Sequence, residues 1–158
     1  MNAHSFLIST VRPTLRRLLL GGLAAEQLLI GTALQESLLL FRRQIGGGPA
    51  LGLFQMEPAT HDDIWDNFLA FRPALTARLR TLSPARSAAA LETDDVYATA
   101  LARFHYLRVA ARLPSANDIE AQAHYWKTYY NTEKGAGDPA EYLDKWSQCI
   151  DPMIWGEE

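Results

Sequence analysis

Apolar positions recur at helical spacing along most of the chain, and glycine and proline residues separate the segments. The spacing predicts a first helix within 6–20, ended by Gly21 and Gly22, and a second helix over about 24–41. The glycine-rich segment 42–56 predicts a loop, with a short hairpin as an option. The first third of the chain is therefore expected to be two helices followed by a long loop.

The helical pattern returns after this loop and continues almost to the end of the chain. Further helices are predicted at 59–70, 73–82, 93–112 and 116–129, and a last helix begins at Asp138 and Pro139. The segments 83–91 and 131–137 are predicted to be a connector and a loop. Because no segment alternates apolar and polar residues over a useful length, the predicted class is mainly α.

The composition describes a globular protein of about one domain. The chain has 158 residues, of which 48% are hydrophobic and 21% are charged, as in average soluble proteins. With a net charge of −3, it lacks the basic excess of nucleic-acid-binding proteins, so no nucleic-acid partner is expected. The single cysteine, Cys149, excludes an internal disulfide and a cysteine-rich metal site.

The N-terminal region bears a partial likeness to an export signal. Arg16 and Arg17 precede the apolar run 18–25, in the order that a secretory signal requires. Glu26 interrupts that run, and the apolar pattern then continues as an ordinary helix. We therefore expect no signal peptide, no membrane insertion and synthesis in the cytoplasm.

One acidic residue lies inside an apolar helix. Of the fifteen residues 27–41, only Glu36 is charged, and a helix that is apolar on most sides is typically buried. Burial disfavours the carboxylate and raises its pKa, which suits a general acid at neutral pH. The alternative is a structural ion pair between Glu36 and Arg42, Arg43 or an arginine of the helix 93–112.

Two later segments add groups that suit sugar binding. Gly52 allows a close approach of the backbone to a ligand, and the amide of Gln55 offers both a donor and an acceptor to hydroxyl and acetamido groups. Tyr130, followed by Asn131, ends a predicted helix, and a tyrosine ring offers an apolar face with a polar rim. Taken alone, the first segment is better interpreted as an ordinary turn, and the alternative for the second is a helix end that packs on its neighbours.

Taken in order, these segments resemble a known enzyme family. Gln35-Glu36-Ser37, then Gly52-Leu53-Phe54-Gln55-Met56-Glu57-Pro58-Ala59-Thr60, then Tyr130-Asn131 resemble the soluble-lytic-transglycosylase branch of the lysozyme superfamily. That branch carries a Glu-Ser pair, a Gly-Leu-Met-Gln-x-Met-Pro-x-Thr segment and an Ala-Tyr-Asn motif. Tyr106-Leu107 resembles its Tyr-Leu pair, and the region 126–137 is similar to small phage-encoded relatives. Phe54 and Glu57 depart from the pattern, since both stand where methionine is usual.

The resemblance implies a lysozyme-like helical domain over 1–158. Its core would lie at about 24–137, with the N- and C-terminal helices packed on it and a loop or β-hairpin region after the helix of Glu36. The implied reaction is cleavage of the β-1,4 bond between N-acetylmuramic acid and N-acetylglucosamine in peptidoglycan, with Glu36 as general acid and base and with no metal or cofactor. The substrate-binding residues implied are Ser37, Gly52, Gln55, Tyr106, Tyr130 and Asn131.

Three alternatives remain open at this stage. Glu57 is a candidate second carboxylate for a hydrolase, in which water attacks the sugar. The chain is also compatible with a catalytically silent lysozyme-fold protein that serves a phage particle and contacts other virion proteins. An active enzyme without a signal would reach the wall with a phage particle or through lysis machinery. Chitin and chitosan are a third option, as substrates in place of peptidoglycan.

The histidines and tryptophans are other candidates for functional residues, but structural roles are expected for most of them. His61, His105 and His124 show no metal-ligand spacing, and surface or core positions are predicted for all three. The tryptophans are predicted to anchor helix packing. Trp126 is the one tryptophan singled out, because it lies one helical turn before Tyr130.

Overall fold

The structure is a computed structural model of the chain, and it describes residues 1–131 and 135–156. The protein is mainly helical, with 64% of residues in helices and no strand in the described part. The predicted mainly-α class is confirmed. None of the helices in these residues is long and apolar enough to cross a membrane.

The helices follow one another closely along the chain. They are α1 (Ala3–Phe6), α2 (Arg12–Leu18), α3 (Leu23–Ser37), α4 (Pro58–Asn67), α5 (Pro73–Arg80), α6 (Ala90–Thr93), α7 (Asp95–Leu107), α8 (Ile119–Trp126) and α9 (Pro139–Cys149). A π turn, Leu7–Val11, joins α1 to α2, and a second π turn, Lys127–Asn131, extends α8. Short 3₁₀ segments lie at Leu69–Phe71 and Pro152–Gly156.

Helix α3 lies at the centre of the fold. All its residues from Ala25 to Gln35 are buried, and it packs against α7, α8 and α9. Gly31 makes the contact with α9 possible, because a Cβ there would lie 1.9 Å from the phenolic oxygen of Tyr142. The elements at both ends of the chain join the same core, which extends from Ala3 to Ile154.

Helix α3 ends at Ser37, four residues before the predicted end. Leu38 and Leu39 have left-handed backbones, with φ of 52° and 57°, and the chain therefore leaves the helix axis at once. The Ser37 hydroxyl fixes this turn: it donates to the carbonyl oxygen of Leu53 at 2.7 Å and accepts from the Leu39 N–H at 3.2 Å. As a result, Glu36 lies one residue from the end of a buried helix.

The long loop after α3 folds back on itself without forming strands. Its pairing consists of isolated antiparallel bridges that join Leu51 to Arg43 and to Met56. Gly52, with φ of +76°, lies so close to α6 that a Cβ would stand 1.9 Å from the carbonyl oxygen of Leu91. The short hairpin that the sequence allowed in this segment is therefore absent, and isolated bridges within a tightly packed loop take its place.

Other helix boundaries also differ from the prediction. The connector 83–91 ends in the short helix α6, and α7 ends at Leu107, where the pattern predicts a helix to 112. The helix predicted over 116–129 begins at Ile119 and becomes a π turn at Lys127. Residues 132–134 of the predicted loop 131–137 lie outside the described residues.

Candidate functional site

A cleft of about 550 Å³ opens beside the C-terminal end of α3. This volume lies within the range of small-molecule sites, roughly 300–1,000 Å³. Five predicted site residues line it, namely Glu36, Gln55, Glu57, Tyr130 and Asn131. The remaining walls are formed by Phe41, Arg43, Gln44, Ile45, Ala50, Met56, Thr60, His105, Gly135 and Ala136. Residues that are nearly a hundred positions apart in sequence thus share one cavity.

The Glu36 carboxyl is the acidic group at the inner wall of the cleft. Burial raises its pKa from 4.5 to about 7, although two neighbours act in the opposite direction. The indole N–H of Trp126 donates to its Oε1 at 2.9 Å, and the positive charge of Lys145 also favours the carboxylate. Glu36 is therefore about half protonated near pH 7, as a group that alternates between acid and base requires.

The ion-pair alternative for Glu36 is wrong for the arginines that the sequence suggested. Arg42 forms a two-pronged pair with Asp95, in which the second contact is 2.9 Å, and Arg43 lies 2.8 Å from a Glu92 oxygen. The arginines of the predicted helix 93–112 include Arg103 and Arg108, which donate to the Leu20 carbonyl oxygen and to Asp63. Within the described residues, no guanidinium pairs with Glu36.

Gln55 presents an amide at the cleft from a strained backbone. Its φ is +47°, a conformation that is uncommon for a residue with a side chain and tends to occur at functional sites. The side-chain Nε2 donates to the Gly52 carbonyl oxygen at 2.9 Å, which fixes the orientation of the amide. Its Oε1 has no hydrogen-bond partner among the described residues, so this oxygen remains available to a ligand donor.

The π turn Lys127–Asn131 supplies two further lining residues, Tyr130 and Asn131. The Tyr130 hydroxyl donates to the Phe54 carbonyl oxygen at 2.6 Å, and this bond ties the turn to the long loop. The Asn131 Oδ1 accepts from the Lys127 ammonium group at 2.8 Å. Both predicted residues therefore line the cleft with side chains that are held in place. Single π turns within α-helices are frequent at functional sites.

Three of the predicted substrate-binding residues lie behind the cleft wall. Ser37 is buried and bonded to the long loop, as described above. The Gly52 N–H donates to the Arg42 carbonyl oxygen at 2.7 Å, so it is not free to bind a ligand. The Tyr106 hydroxyl is fully buried and lies 2.8 Å from that of Thr32. The position of these residues suits support of the wall and not direct contact with a ligand.

Glu57 brings a second carboxyl group to the cleft. It is exposed and immediately precedes Pro58, the first residue of α4. Its carboxyl has no hydrogen bond or ion pair within the described residues. A carboxylate that is exposed and unpaired is available to orient a water molecule or a hydroxyl group of a ligand.

Three further residues belong to the site, and of these the sequence singles out only Trp126, for its position one helical turn before Tyr130. His105 lines the cleft, Trp126 contacts the acid directly, and Lys145 lies near enough to shift its pKa. One signal could have identified His105, because it is a titratable side chain in the largely apolar run of α7, as Glu36 is in α3. The hydrogen bond of Trp126 to Glu36 and the charge effect of Lys145 on it depend on how α8 and α9 pack on α3, which no local pattern encodes.

A metal ion would require several ligating side chains close together. Within residues 1–131 and 135–156, no group of three or more histidine, cysteine, aspartate and glutamate side chains could hold one. Comparisons with models of protein families, with curated proteins and with solved structures gave no match to this chain.

Proposed function

We propose that the protein is a glycosidase that cleaves peptidoglycan, a lytic transglycosylase or lysozyme-type muramidase with a lysozyme-like fold. The observation that carries this proposal is the Glu36 carboxyl, whose pKa is raised to about 7 within an open cleft. Gln55 and Tyr130 share this cleft, so the three most informative residues of the family resemblance meet in one place. The proposed substrate is the glycan strand at its β-1,4 MurNAc-GlcNAc bond.

The proposed reaction uses Glu36 twice. The protonated carboxyl would give its proton to the glycosidic oxygen as the bond between this oxygen and the anomeric carbon breaks. The substrate's acetamido oxygen would bond to the anomeric carbon in its place. The Glu36 carboxylate would then accept the proton of the C6 hydroxyl, whose oxygen displaces the acetamido oxygen and closes a 1,6-anhydro ring. This reaction requires one carboxyl group of the enzyme, whereas most glycosidases use two.

The residues around Glu36 have corresponding roles in this proposal. The free Oε1 of Gln55 would accept from a sugar N–H or hydroxyl, and Tyr130 and Asn131 would shape the cleft wall. Phe41 and Ile45, both exposed at the cleft, would contact the apolar faces of sugar rings. No metal or cofactor takes part in these steps.

Digestion of purified peptidoglycan tests the proposal directly. We expect the wild-type protein to release soluble fragments and Glu36→Gln to lose at least a hundredfold in rate, the usual scale for a general acid. The glutamine keeps an oxygen for the Trp126 indole, so the variant should remain folded. Equal digestion by both proteins would remove Glu36 from the chemistry. No digestion by either protein would favour the silent virion protein.

The presence of Glu57 in the cleft supports one alternative to transglycosylation, which is hydrolysis of the same bond. An inverting hydrolase places a second carboxylate roughly 6.5–9.5 Å from the acid to activate water, and Glu57 lines the same cleft as Glu36. Mass spectrometry of the fragments separates the two reactions, since transglycosylation yields anhydro ends and hydrolysis yields reducing ends. If reducing ends dominate and Glu57→Gln abolishes them, the protein is a muramidase that uses both carboxyl groups.

A further inference from the structure

A histidine occupies the cleft beside the residues of the proposed reaction. His105 belongs to α7 and lines the same cavity as Glu36 and Gln55. Its ring packs edge-on against Tyr130, with 4.9 Å between the ring centroids at an angle of 79°. The imidazole is therefore held by an aromatic contact on the wall that a ligand would meet.

The protonation state of His105 follows from its partner on the other side. Its Nδ1 lies 2.9 Å from a guanidinium nitrogen of Arg108. Because a guanidinium only donates hydrogen bonds, Nδ1 must accept, and the ring proton must reside on Nε2. Arg108 is itself paired with Asp63. An ion pair outside the cleft thus selects one tautomer of the histidine.

His105 also stays uncharged over the pH range in which Glu36 titrates. Burial, together with the positive charge of Arg108, lowers its pKa to about 4, against a smaller opposing effect of Asp63. Two phenols, Tyr106 and Tyr130, contact the ring, and burial raises the pKa of each well above 10. The ring therefore faces the cleft as a neutral N–H donor.

The Nε2 atom of His105 has no acceptor in the part of the chain that the structure describes. It makes no hydrogen bond to any described residue, and it is absent from the buried side-chain atoms without partners. It is consequently not sealed inside the core, and His105 is a lining residue of the cleft. A fixed donor that is unpaired in a ligand-sized cavity is suited to an acceptor on the ligand.

We propose that His105 is a substrate-contacting residue, which donates its Nε2–H to an acceptor oxygen of the bound glycan. This inference rests on the proposed function and assigns one determinant of its substrate recognition. The preferred acceptor is the acetamido carbonyl oxygen, because an amide oxygen is a stronger acceptor than a hydroxyl. Arg108 is a positioning residue, which keeps the Nε2–H tautomer in place.

Binding measured without turnover tests this contact. The parent protein is Glu36→Gln, and the probe is the tetrasaccharide (GlcNAc-MurNAc)₂, titrated by calorimetry. We expect His105→Phe, which keeps an aromatic ring and removes the donor, to weaken binding about tenfold, the scale of one hydrogen bond. His105→Gln, which returns an N–H near the Nε2 position, should recover most of the loss. The exposed His124 on α8 provides the matched control, since His124→Phe should bind as the parent does.

Nitrogen NMR of the imidazole separates a contact from a merely structural role. In the parent protein, ¹⁵N shifts should show Nε2–H and a bare Nδ1, and the tetrasaccharide should shift the Nε2–H resonance. Arg108→Met should mix the two tautomers, because it removes the donor to Nδ1. A folded His105→Phe with unchanged affinity, or a ring found protonated at Nδ1, would overturn the inference alone. Failure of the parent to bind the tetrasaccharide would overturn the proposed function with it.

Discussion

Several influences act on the pKa of the carboxyl group in the cleft. Loss of water around Glu36 is the largest and raises its pKa, whereas the Trp126 indole and the Lys145 charge lower it, and the balance lies at about 7. Of these, the lysine is the simplest to change. Its ammonium group lies in α9 and donates to the Gln35 carbonyl oxygen at 3.0 Å, next to the acid.

Removal of the lysine charge should extend activity to higher pH. Lys145 favours the Glu36 carboxylate, so Lys145→Met should raise the pKa of Glu36 and keep it protonated at a higher pH. We expect the alkaline limb of the rate of peptidoglycan digestion to move upward by up to about one pH unit. The measurement is the pH profile of fragment release between pH 5 and pH 9.

The conservative variant Lys145→Arg provides the control for this prediction. It retains the positive charge, and its alkaline limb should coincide with that of the wild-type protein. An unchanged limb in Lys145→Met would show that this charge does not act on Glu36, and a downward shift would contradict the assigned sign.

At the scale of elements, the contact between α3 and α9 holds the acid and the lysine together. It depends on Gly31, which leaves room for the ring of Tyr142, a residue that is 1% exposed. A methyl group on Gly31 would stand 2.4 Å from the Tyr142 Cζ atom as well as close to its oxygen. The ring cannot rotate away without opening the core, because it also packs against Trp126.

Gly31→Ala should therefore destabilise the protein despite the better helix propensity of alanine. Overpacking of a core commonly costs about 1–3 kcal/mol, and thermal unfolding should show a clear loss. Gly21→Ala is the matched control, since a Cβ at that position lies 3.9 Å from its nearest neighbours. Equal melting temperatures for both variants would show that the helices separate easily at this contact.

The sequence predicts the helices better than it predicts where they end. The isolated charge of Glu36 in an apolar run indicates a buried acid, and the glycines and prolines locate most turns. The end of α3 escapes prediction because Leu38 and Leu39 adopt left-handed backbones, a conformation that leucine does not signal. The π turn that carries Tyr130 escapes for a similar reason, since its residues equally suit an ordinary helix.

Local sequence patterns predict only part of the candidate site. Glu36, Gln55, Tyr130 and Asn131 were singled out and share the cleft. The role of His105 depends on Arg108 and Asp63, and the latter lies 45 residues from Arg108 in sequence. Such long-range partners result from tertiary packing, and they cannot be predicted from the spacing of residues along the chain.

At the scale of the whole molecule, the cleft exists only in the folded protein. Its walls come from the end of α3, the long loop, the start of α4, α7 and the π turn after α8. Unfolding separates all of these segments. A ligand of the cleft can therefore bind the native state and not the unfolded chain, and binding must stabilise the fold.

The tetrasaccharide (GlcNAc-MurNAc)₂ should accordingly raise the melting temperature of Glu36→Gln. At ten times its dissociation constant, the gain is about 1.4 kcal/mol, which corresponds to a rise of roughly 3–6 °C for a chain of this size. Scanning fluorimetry at increasing sugar concentration measures it. Cellotetraose, which lacks acetamido groups, should give a much smaller rise, and an equal rise with both sugars would argue against recognition of these groups.

The early end of α3 has one further electrical consequence. The aligned peptide dipoles of a helix place partial negative charge at its last carbonyl groups. Glu36 lies in the final turn, so this field opposes the negative charge of its carboxylate. A helix that continued to residue 41 would move its negative pole a full turn beyond the acid. The abrupt stop at Ser37 thus helps the carboxyl to retain its proton, in addition to exposing it at the cleft.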